Sequence, residues 1–152
     1  MNGNILSLLA AGGAFTADQV TKSIADKKLT GGKRRKLAGG LLTLQRAENS
    51  GFARNRLSDH RKIVVSASVT IFAVFAVIYA MTLSKPAPHV LKAGMGLMLG
   101  GAAGNVFDRI VKGKVTDFLI VKPIDNIVFN LADVFLLIGA VVTILCDLLK
   151  NS

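Results

Sequence analysis

Four apolar segments separated by polar connections set the pattern of this chain, at about residues 4–25, 63–83, 90–107 and 127–149. Each segment is close to the length of about twenty residues that a helix needs to cross a hydrocarbon core of about 30 Å. The pattern therefore predicts a membrane all-α fold with four transmembrane helices. We expect these helices to form a single integral membrane domain over residues 1–152.

The third segment carries Gly96, Gly100 and Gly104 at intervals of four residues. Small residues at this spacing form a stripe on one face of a helix, and the stripe lets the backbone of a neighbouring helix approach closely. We therefore predict close helix packing along this face.

A long polar insert, residues 26–62, separates the first two segments. Residues 41–47 have weak strand character and residues 48–51 are typical of a turn, so we expect a small β-containing structure on the membrane surface. The insert begins with a cluster of cations: Lys27, Lys28, Lys33, Arg34, Arg35 and Lys36. Anionic headgroups of membrane phospholipids are natural partners for such a cluster.

Composition supports a membrane protein and excludes some other classes. Hydrophobic residues make up 51% of the chain, and the formal net charge is +10. Because the cations are not interleaved with aromatic residues, as a base-stacking surface requires, we expect no nucleic-acid partner. Cys146 is the single cysteine, which excludes an internal disulfide and a cysteine-based metal site.

Two aspartates flank the start of the fourth segment and are candidates for chemistry. Carboxylates beside membrane-like sequence are costly, at roughly 2.5–3.5 kcal/mol each at a bilayer centre, and so usually have a function. Asp117 lies in the connection before the fourth segment, and Asp133 lies near its start. Since the third segment ends and the fourth begins at the same membrane surface, the two carboxylates can meet there.

Paired carboxylates of this kind can hydrolyse a peptide bond. One pKa of the pair rises, so that the pair shares a proton near neutral pH. The ionised acid can accept a proton from water while the protonated acid donates to a carbonyl oxygen, without a metal or a covalent intermediate. From the residues alone, scattered structural aspartates remain an alternative, and Asn130 can be a simple helix cap for the segment that contains Asp133.

Other polar residues lie at the ends of the first and third segments. Asp18 and Lys22 are four residues apart, so they share a helix face and can pair, either at the interface or within a site. Asn105, Asp108 and Arg109 share a face at the end of the third segment. We expect Arg109 to hold a carboxylate there, with Asp108 as its structural partner.

Five stretches resemble, in order and spacing, the motifs of signal peptidase II, the bacterial lipoprotein signal peptidase. They are Asp18-Gln-Val-Thr-Lys22, Asn49-Ser-Gly51, Gly100 to Arg109 (GGAAGNVFDR), Gly113 to Phe118 (GKVTDF) and Phe129 to Asp133 (FNLAD). Together with the four segments, the resemblance covers nearly the whole chain. Thr116 departs from the family pattern, in which an apolar residue usually precedes the first catalytic aspartate.

The resemblance implies an aspartic endopeptidase of the bacterial cytoplasmic membrane. Such an enzyme removes the signal peptide of a prolipoprotein just before its diacylglyceryl-modified cysteine. The resemblance makes Asp117 and Asp133 the catalytic pair, requires no metal or other cofactor, and implies inhibition by the peptide antibiotic globomycin. The residues at the family's supporting polar positions are Asp18, Lys22, Asn49, Asn105, Asp108, Arg109 and Asn130.

Charge and resemblance predict opposite orientations in the membrane. The cations are concentrated in the insert and in the connection before the fourth segment, which the positive-inside rule places in the cytoplasm. The family topology instead has both termini in the cytoplasm and the active site at the outer face. Because five motifs outweigh a statistical rule, we expect the insert to be extracytoplasmic.

Two other functions fit parts of the pattern. A metal-dependent transferase acting on phospholipid headgroups would use Asp108, Asp117 and Asp133 to hold Mg²⁺, although such sites usually have a denser acidic cluster. A non-enzymatic four-helix membrane protein or transporter would use Asp18 and Lys22 as a buried pair. Inhibition by EDTA would identify the transferase. The non-enzymatic alternative predicts that Asp117→Asn and Asp133→Asn leave any peptidase activity in the sample unchanged.

Overall fold

The computed structural model describes residues 2–51 and 60–150, so the end of the predicted insert, residues 52–59, lies outside the described part. In chain order the elements are α1 (Gly3–Lys28), β1 (Arg34–Leu37), β2 (Leu42–Asn49), α2 (Arg61–Leu83), α3 (His89–Val111), β3 (Val115–Val121), β4 (Ile124–Phe129) and α4 (Leu131–Lys150). The predicted count of four long helices is confirmed.

Three of the helices, α2, α3 and α4, are long and apolar enough to cross a membrane. Their most apolar stretches have mean hydropathies of 2.4, 1.2 and 2.3. The first helix, α1, has 26 residues, which is ample length, but it also carries Asp18 and Lys22. Both of these charged side chains are fully buried against the other helices.

The four strands form one antiparallel sheet in the order β1-β2-β3-β4. The insert supplies the β1-β2 hairpin, which confirms the expected small β-structure there. The β3-β4 hairpin was not predicted, so the predicted all-α fold with β-structure only in the insert omitted two of the four strands. The fourth helix begins at Leu131, because the predicted helical residues 127–129 belong to β4. A short apolar strand that runs directly into an apolar helix has no periodicity that separates the two.

Pairing of β2 with β3 joins the two halves of the sheet. Ala47 lies opposite Asp117, and Asn49 lies opposite Val115. The predicted turn at residues 48–51 is shorter than expected, because Glu48 and Asn49 still belong to β2. Since α1 leads into the first hairpin and α3 leads into the second, the sheet covers one end of the helical bundle.

Glycines on α3 allow it to pack closely against α1. A Cβ at Gly100 would overlap the carbonyl oxygen of Ala11, and a Cβ at Gly104 would overlap the carboxylate of Asp18. Gly96 meets the backbone of α1 in the same way. The predicted glycine stripe is therefore confirmed, and it sets the distance between the two helices that carry most of the buried charges.

A second glycine face on α3 packs against α4 and was not predicted. A Cβ at Gly101 would lie 2.6 Å from the carbonyl oxygen of Ala132, and a Cβ at Gly94 would lie 2.9 Å from Val142 Cγ1. The contact is reciprocal, because a Cβ at Gly139 of α4 would lie 2.6 Å from Met98 Cγ. With small residues on two faces, α3 brings α1 and α4 together at the end where the sheet lies.

Polar contacts tie the helices together at the end opposite the sheet. Lys92 Nζ donates to Asn4 Oδ1 at 2.8 Å and to the carbonyl oxygen of Leu83 at 3.2 Å. The hydroxyl groups of Ser7 and Tyr79 are 2.9 Å apart. These contacts join α1, α2 and α3 and satisfy a carbonyl at the end of α2.

Candidate functional site

Polar side chains from α1, β2, α3, β3 and α4, together with Asn130 just before α4, converge between the sheet and the helical bundle. The residues predicted from the sequence that lie in this region are Asp18, Lys22, Asn49, Asn105, Asp108, Arg109, Asp117, Asn130 and Asp133. Hydrogen bonds and ion pairs connect eight of them directly, and Arg109 is connected through Gly51. The structure therefore brings together residues that are spread over more than a hundred positions of sequence.

Asn130 joins the two candidate catalytic carboxylates. Its side-chain Nδ2 donates to Asp117 Oδ1 at 2.7 Å, and its backbone N–H donates to Asp133 Oδ2 at 3.1 Å. In return, the backbone N–H of Asp133 donates to Asn130 Oδ1 at 3.0 Å. Asn130 is 1% exposed, so its orientation is fixed by packing as well as by hydrogen bonds. The predicted helix cap is thus also the bridge between the two acids.

Asp117 lies on β3 in a site that disfavours its ionised form. It is 5% exposed, and burial raises its pKa from 3.8 to about 6. The charge of Asp133 acts in the same direction, while hydrogen bonds from Asn130 and Asn49 act against it. Asn49 Nδ2 donates to the second carboxylate oxygen, Oδ2, at 3.3 Å. A buried carboxyl group whose pKa is raised to about 6 fits a general acid or base.

Asp133 occupies the first turn of α4. The N-terminus of a helix favours negative charge, because its backbone N–H groups point toward the carboxylate. Asn105 Nδ2 donates to the other oxygen, Oδ1, at 3.0 Å. Asn105 itself accepts hydrogen bonds at Oδ1 from Lys22 Nζ at 2.9 Å and from Asn130 at 3.0 Å. Asn105 therefore links Asp133 to the buried charges behind it.

Those buried charges form a cluster around Lys22. Its ammonium group is 2.7 Å from Asp18 Oδ2 and 3.2 Å from Asp108 Oδ2, and all three side chains are fully buried. Asp18 Oδ1 also accepts a hydrogen bond from the backbone N–H of Ala132 at 2.9 Å. The ion pair predicted from the four-residue spacing is confirmed. It lies inside the protein rather than at the interface, and it fixes the start of α4 against α1.

The expected Asp108–Arg109 clamp is not formed among the described residues. Asp108 pairs with Lys22 and, through Oδ1, with Lys112 at 3.1 Å. Arg109 instead donates to the carbonyl oxygen of Gly51 at 3.3 Å. Its charge interacts electrostatically with Asp117 and Asp133 and, more weakly, with Asp108. Neighbouring residues on a helix point in directions about 100° apart, so each can find its own partner.

Thr116 supports the site in a way that the sequence did not predict. Its backbone N–H donates to Asp108 at 3.4 Å, and its hydroxyl donates to Asp26 at 3.3 Å. Asp26 also pairs with Arg46 at 2.7 Å. The only signal in the sequence was the departure of Thr116 from the apolar residue that is usual in the family. The hydroxyl fastens β3, and with it Asp117, to the end of α1.

The arrangement is suited to acid–base chemistry on a bound carbonyl group. Among the described residues, no three His, Cys, Asp or Glu side chains are grouped so that they could hold a metal ion. The three-aspartate Mg²⁺ site of the transferase alternative is therefore not formed, since Asp108 pairs with lysines instead. Asp117 and Asp133 share a bridging amide and differ in surroundings, as a dyad with two distinct roles requires.

Comparisons with known proteins match almost the full length of the chain. The family model for signal peptidase (SPase) II matches residues 10–149. The lipoprotein signal peptidase of Caldicellulosiruptor bescii is 38% identical over 91% of this chain and 87% of the relative. That of Nostoc punctiforme is 35% identical over 97% and 92%.

Solved structures give the same result for the fold. A bacterial membrane enzyme solved at 2.3 Å resolution has a TM-score of 0.84 at 27% identity, and it covers 96% of this chain and 89% of its own. A second, solved at 1.9 Å, has a TM-score of 0.81 at 28% identity, with 96% and 94% covered. The fold described above is therefore also that of experimentally determined membrane enzymes.

Proposed function

Because this chain belongs to the signal peptidase II family, we propose that it is an aspartic lipoprotein signal peptidase with Asp117 and Asp133 as its catalytic pair. Membership of the family makes it a peptidase of a bacterial membrane that acts on prolipoproteins. The single observation that supports the aspartic mechanism most strongly is the Asn130 bridge, which holds both carboxylates in one hydrogen-bonded unit.

In this mechanism the dyad holds one proton. Asp133 carries the negative charge, stabilised by the α4 N-terminus and by the Asn130 N–H. Asp117 carries the proton, because its burial favours the neutral form. Asp133 accepts a proton from a water molecule as that water attacks the scissile carbonyl carbon, and Asp117 donates its proton to the carbonyl oxygen.

Breakdown of the tetrahedral intermediate completes hydrolysis. The C–N bond breaks as the proton taken up by Asp133 passes to the leaving amine, and a hydroxyl of the intermediate returns a proton to Asp117. The peptide is cleaved by one water molecule, and the dyad regains its starting protonation state. Asn105 and Lys22 keep Asp133 oriented throughout, since both are held in the buried network.

The proposed substrate is a prolipoprotein that carries a diacylglyceryl-modified cysteine, cut immediately before that cysteine, and globomycin is the proposed inhibitor. The location of the dyad supports this substrate. Asp117 and Asp133 lie where the sheet meets the ends of apolar helices, so a lipid-anchored peptide can present its cleavage site while its acyl chains stay in the membrane. Membrane phospholipids are the further proposed partners.

Cleavage in cells depleted of their own lipoprotein signal peptidase tests the mechanism. A diacylated precursor is followed by gel shift with the wild-type chain, Asp117→Asn, Asp133→Asn and Asp147→Asn. Asp147 is an exposed aspartate near the other end of α4 and serves as the matched control. We expect cleavage with the wild type and with the control, and none with either dyad variant. Processing by a dyad variant at the wild-type rate would contradict the proposal.

We further propose that both termini face the cytoplasm and that the sheet and dyad face the outer side of the cytoplasmic membrane. Single cysteines in a Cys146→Ala background test this orientation. Thr30 and Lys85 are exposed residues at opposite ends of the bundle. A membrane-impermeant thiol reagent added outside should label Thr30→Cys and leave Lys85→Cys unlabelled in intact spheroplasts. The reverse pattern would place the dyad in the cytoplasm.

A further inference from the structure

Five cations around the end of α1 share one concave surface and have no acidic partner among the described residues. They are Lys27, Lys28, Lys33, Arg34 and Arg35, and we call them the basic cluster. The ion pairs that the structure describes in this region use Arg46, Lys112 and Lys114 instead, which occupy Asp26 and Glu48. The basic cluster therefore presents uncompensated positive charge.

A tight turn creates the cluster. Gly31 and Gly32 adopt φ angles of 70° and 74°, which are accessible to glycine without strain. The chain reverses there, so the cations at the end of α1 and those at the start of β1 line the same surface. The helix dipole accounts for Lys27 and Lys28 in the last turn of α1, but it gives no reason for the cations that follow the turn.

An apolar cavity of about 180 Å³ adjoins the basic cluster. Its walls include Ile24 and Leu29 from α1 and its end, and Leu44 and Phe118 from the sheet. This volume is below the range of about 300–1,000 Å³ that is typical of sites enclosing a whole small ligand, so the cavity can take only part of an acyl chain. Lys28 and Arg35 line both this cavity and the basic cluster, so apolar walls and cationic rim belong to one continuous surface.

We propose that this surface binds one anionic phospholipid of the surrounding membrane. Part of an acyl chain enters the cavity between α1 and the sheet, and the headgroup phosphate lies against Lys28 and Arg35. Charge complementarity selects an anionic headgroup, and the apolar walls select a lipid over a soluble anion. The site is separate from the dyad, and this inference does not rest on the proposed mechanism.

Binding of a lipid at this surface would affect the position of the sheet. Phe118 lines the cavity and directly follows Asp117 on β3. A lipid held in the cavity would therefore keep β3 at the level of the headgroups. The proposed catalytic residue Asp117 and the cavity wall at Phe118 are therefore adjacent positions of one strand.

Tryptophan fluorescence can test the site directly, because the chain contains no tryptophan. Ile24 lines the cavity and is 47% exposed, so Ile24→Trp places a probe there. Leu137→Trp is the control. Leu137 is exposed and, like Ile24, lies within two helical turns of the end of its helix that meets the sheet, but it is not part of the cavity. The full chain is reconstituted in phosphatidylcholine nanodiscs that contain acyl-chain nitroxide lipids, either phosphatidylglycerol or phosphatidylcholine, at equal mole fraction.

We expect the probe at position 24 to be quenched preferentially by the anionic lipid, and the control probe to be quenched equally by both. Since each cation near an anionic headgroup contributes about fivefold in affinity, Arg35→Gln and Lys28→Gln should each reduce the preference about fivefold. Lys36→Gln removes the same charge from β1 but lines neither surface, so it should leave the preference unchanged.

Three results would overturn the proposal. Equal quenching of the probe at position 24 by both lipids would show that no anionic lipid is selected. A loss of preference with Lys36→Gln as large as with Arg35→Gln would show diffuse surface attraction rather than a site. Full competition by millimolar inorganic phosphate would show a site for a soluble anion.

Discussion

Replacing Asn130 with alanine tests the division of roles within the dyad. The substitution removes the Nδ2 donor that lies 2.7 Å from Asp117 Oδ1. A hydrogen bond to a charged group is worth about 1.5–3 kcal/mol, and one pKa unit corresponds to about 1.36 kcal/mol. Because the donor stabilises the ionised carboxylate, its loss should raise the pKa of Asp117 by about one to two units. From about 6, the pKa would move to about 7–8.

The pH dependence of kcat/KM reports this change, since it reflects ionisation of the free enzyme. If Asp117 is the proton donor, wild-type activity falls as the pH rises through about 6. Asn130→Ala should lower the maximum rate and shift this descending limb to higher pH by about one to two pH units. The purified enzyme in detergent, with a fluorogenic lipopeptide, provides the assay, and thermal unfolding confirms that the variant is folded.

Asn49→Ala supplies a graded control. Its Nδ2 lies 3.3 Å from the other oxygen of Asp117, in a less buried position. This longer hydrogen bond is weaker, so the limb should move in the same direction by less than with Asn130→Ala. A descending limb that stays in place or moves down in Asn130→Ala would refute the assignment of the proton to Asp117.

The remaining predictions concern stability. Folding raises the pKa of Asp117 from 3.8 to about 6. The favourable contribution of its protonated form to folding stability is therefore fully present below pH 3.8 and is lost as the pH rises through about 6. At neutral pH, Asp117→Asn should stabilise the protein by up to about 3 kcal/mol while abolishing cleavage, and a destabilised variant in chemical unfolding would contradict this. Gly100→Ala should lower the free energy of unfolding by about 1–3 kcal/mol, because the added Cβ would overlap the backbone of Ala11. Gly12→Ala adds its Cβ in open space, so thermal unfolding of the two variants should show a lower melting temperature for Gly100→Ala and a slightly higher one for Gly12→Ala. Lys22→Met should cost about 3–5 kcal/mol, since it leaves buried carboxylates without their cation, and a melting temperature equal to that of the wild type would refute the buried-pair interpretation.

Much of the site was predictable because its chemistry is local in sequence. Asp18 and Lys22 are one helical turn apart, so their pairing followed from helix geometry. The Gly96, Gly100 and Gly104 stripe likewise showed that α3 would accept a close neighbour. The meeting of Asp117 and Asp133 followed from connectivity, because consecutive spans must turn at the same surface.

Other parts depended on contacts between residues far apart in sequence. The sheet is completed by pairing β2 with β3, and neither strand carries a local signal that identifies its partner. The pairing of Asp108 with Lys22 was also not predictable, since Lys22 reaches it from another helix. Its second partner, Lys112, lies four residues further along the chain, so that pairing is local like the one between Asp18 and Lys22. Helix position gave the face on which Asp108 lies but not the side chain of α1 that meets it.

The sequence by itself determined four long helices, a pair of carboxylates at one end of them and the polar residues around that pair. Periodicity, the cost of buried charge and motif spacing are all properties of the chain that need no knowledge of distant contacts. Only the tertiary structure decided that Asn130 bridges the dyad and that α1 meets a second hairpin. These features arise because α3 has glycines on two faces, so that α1 and α4 approach each other closely enough for Asp18 to bond the start of α4.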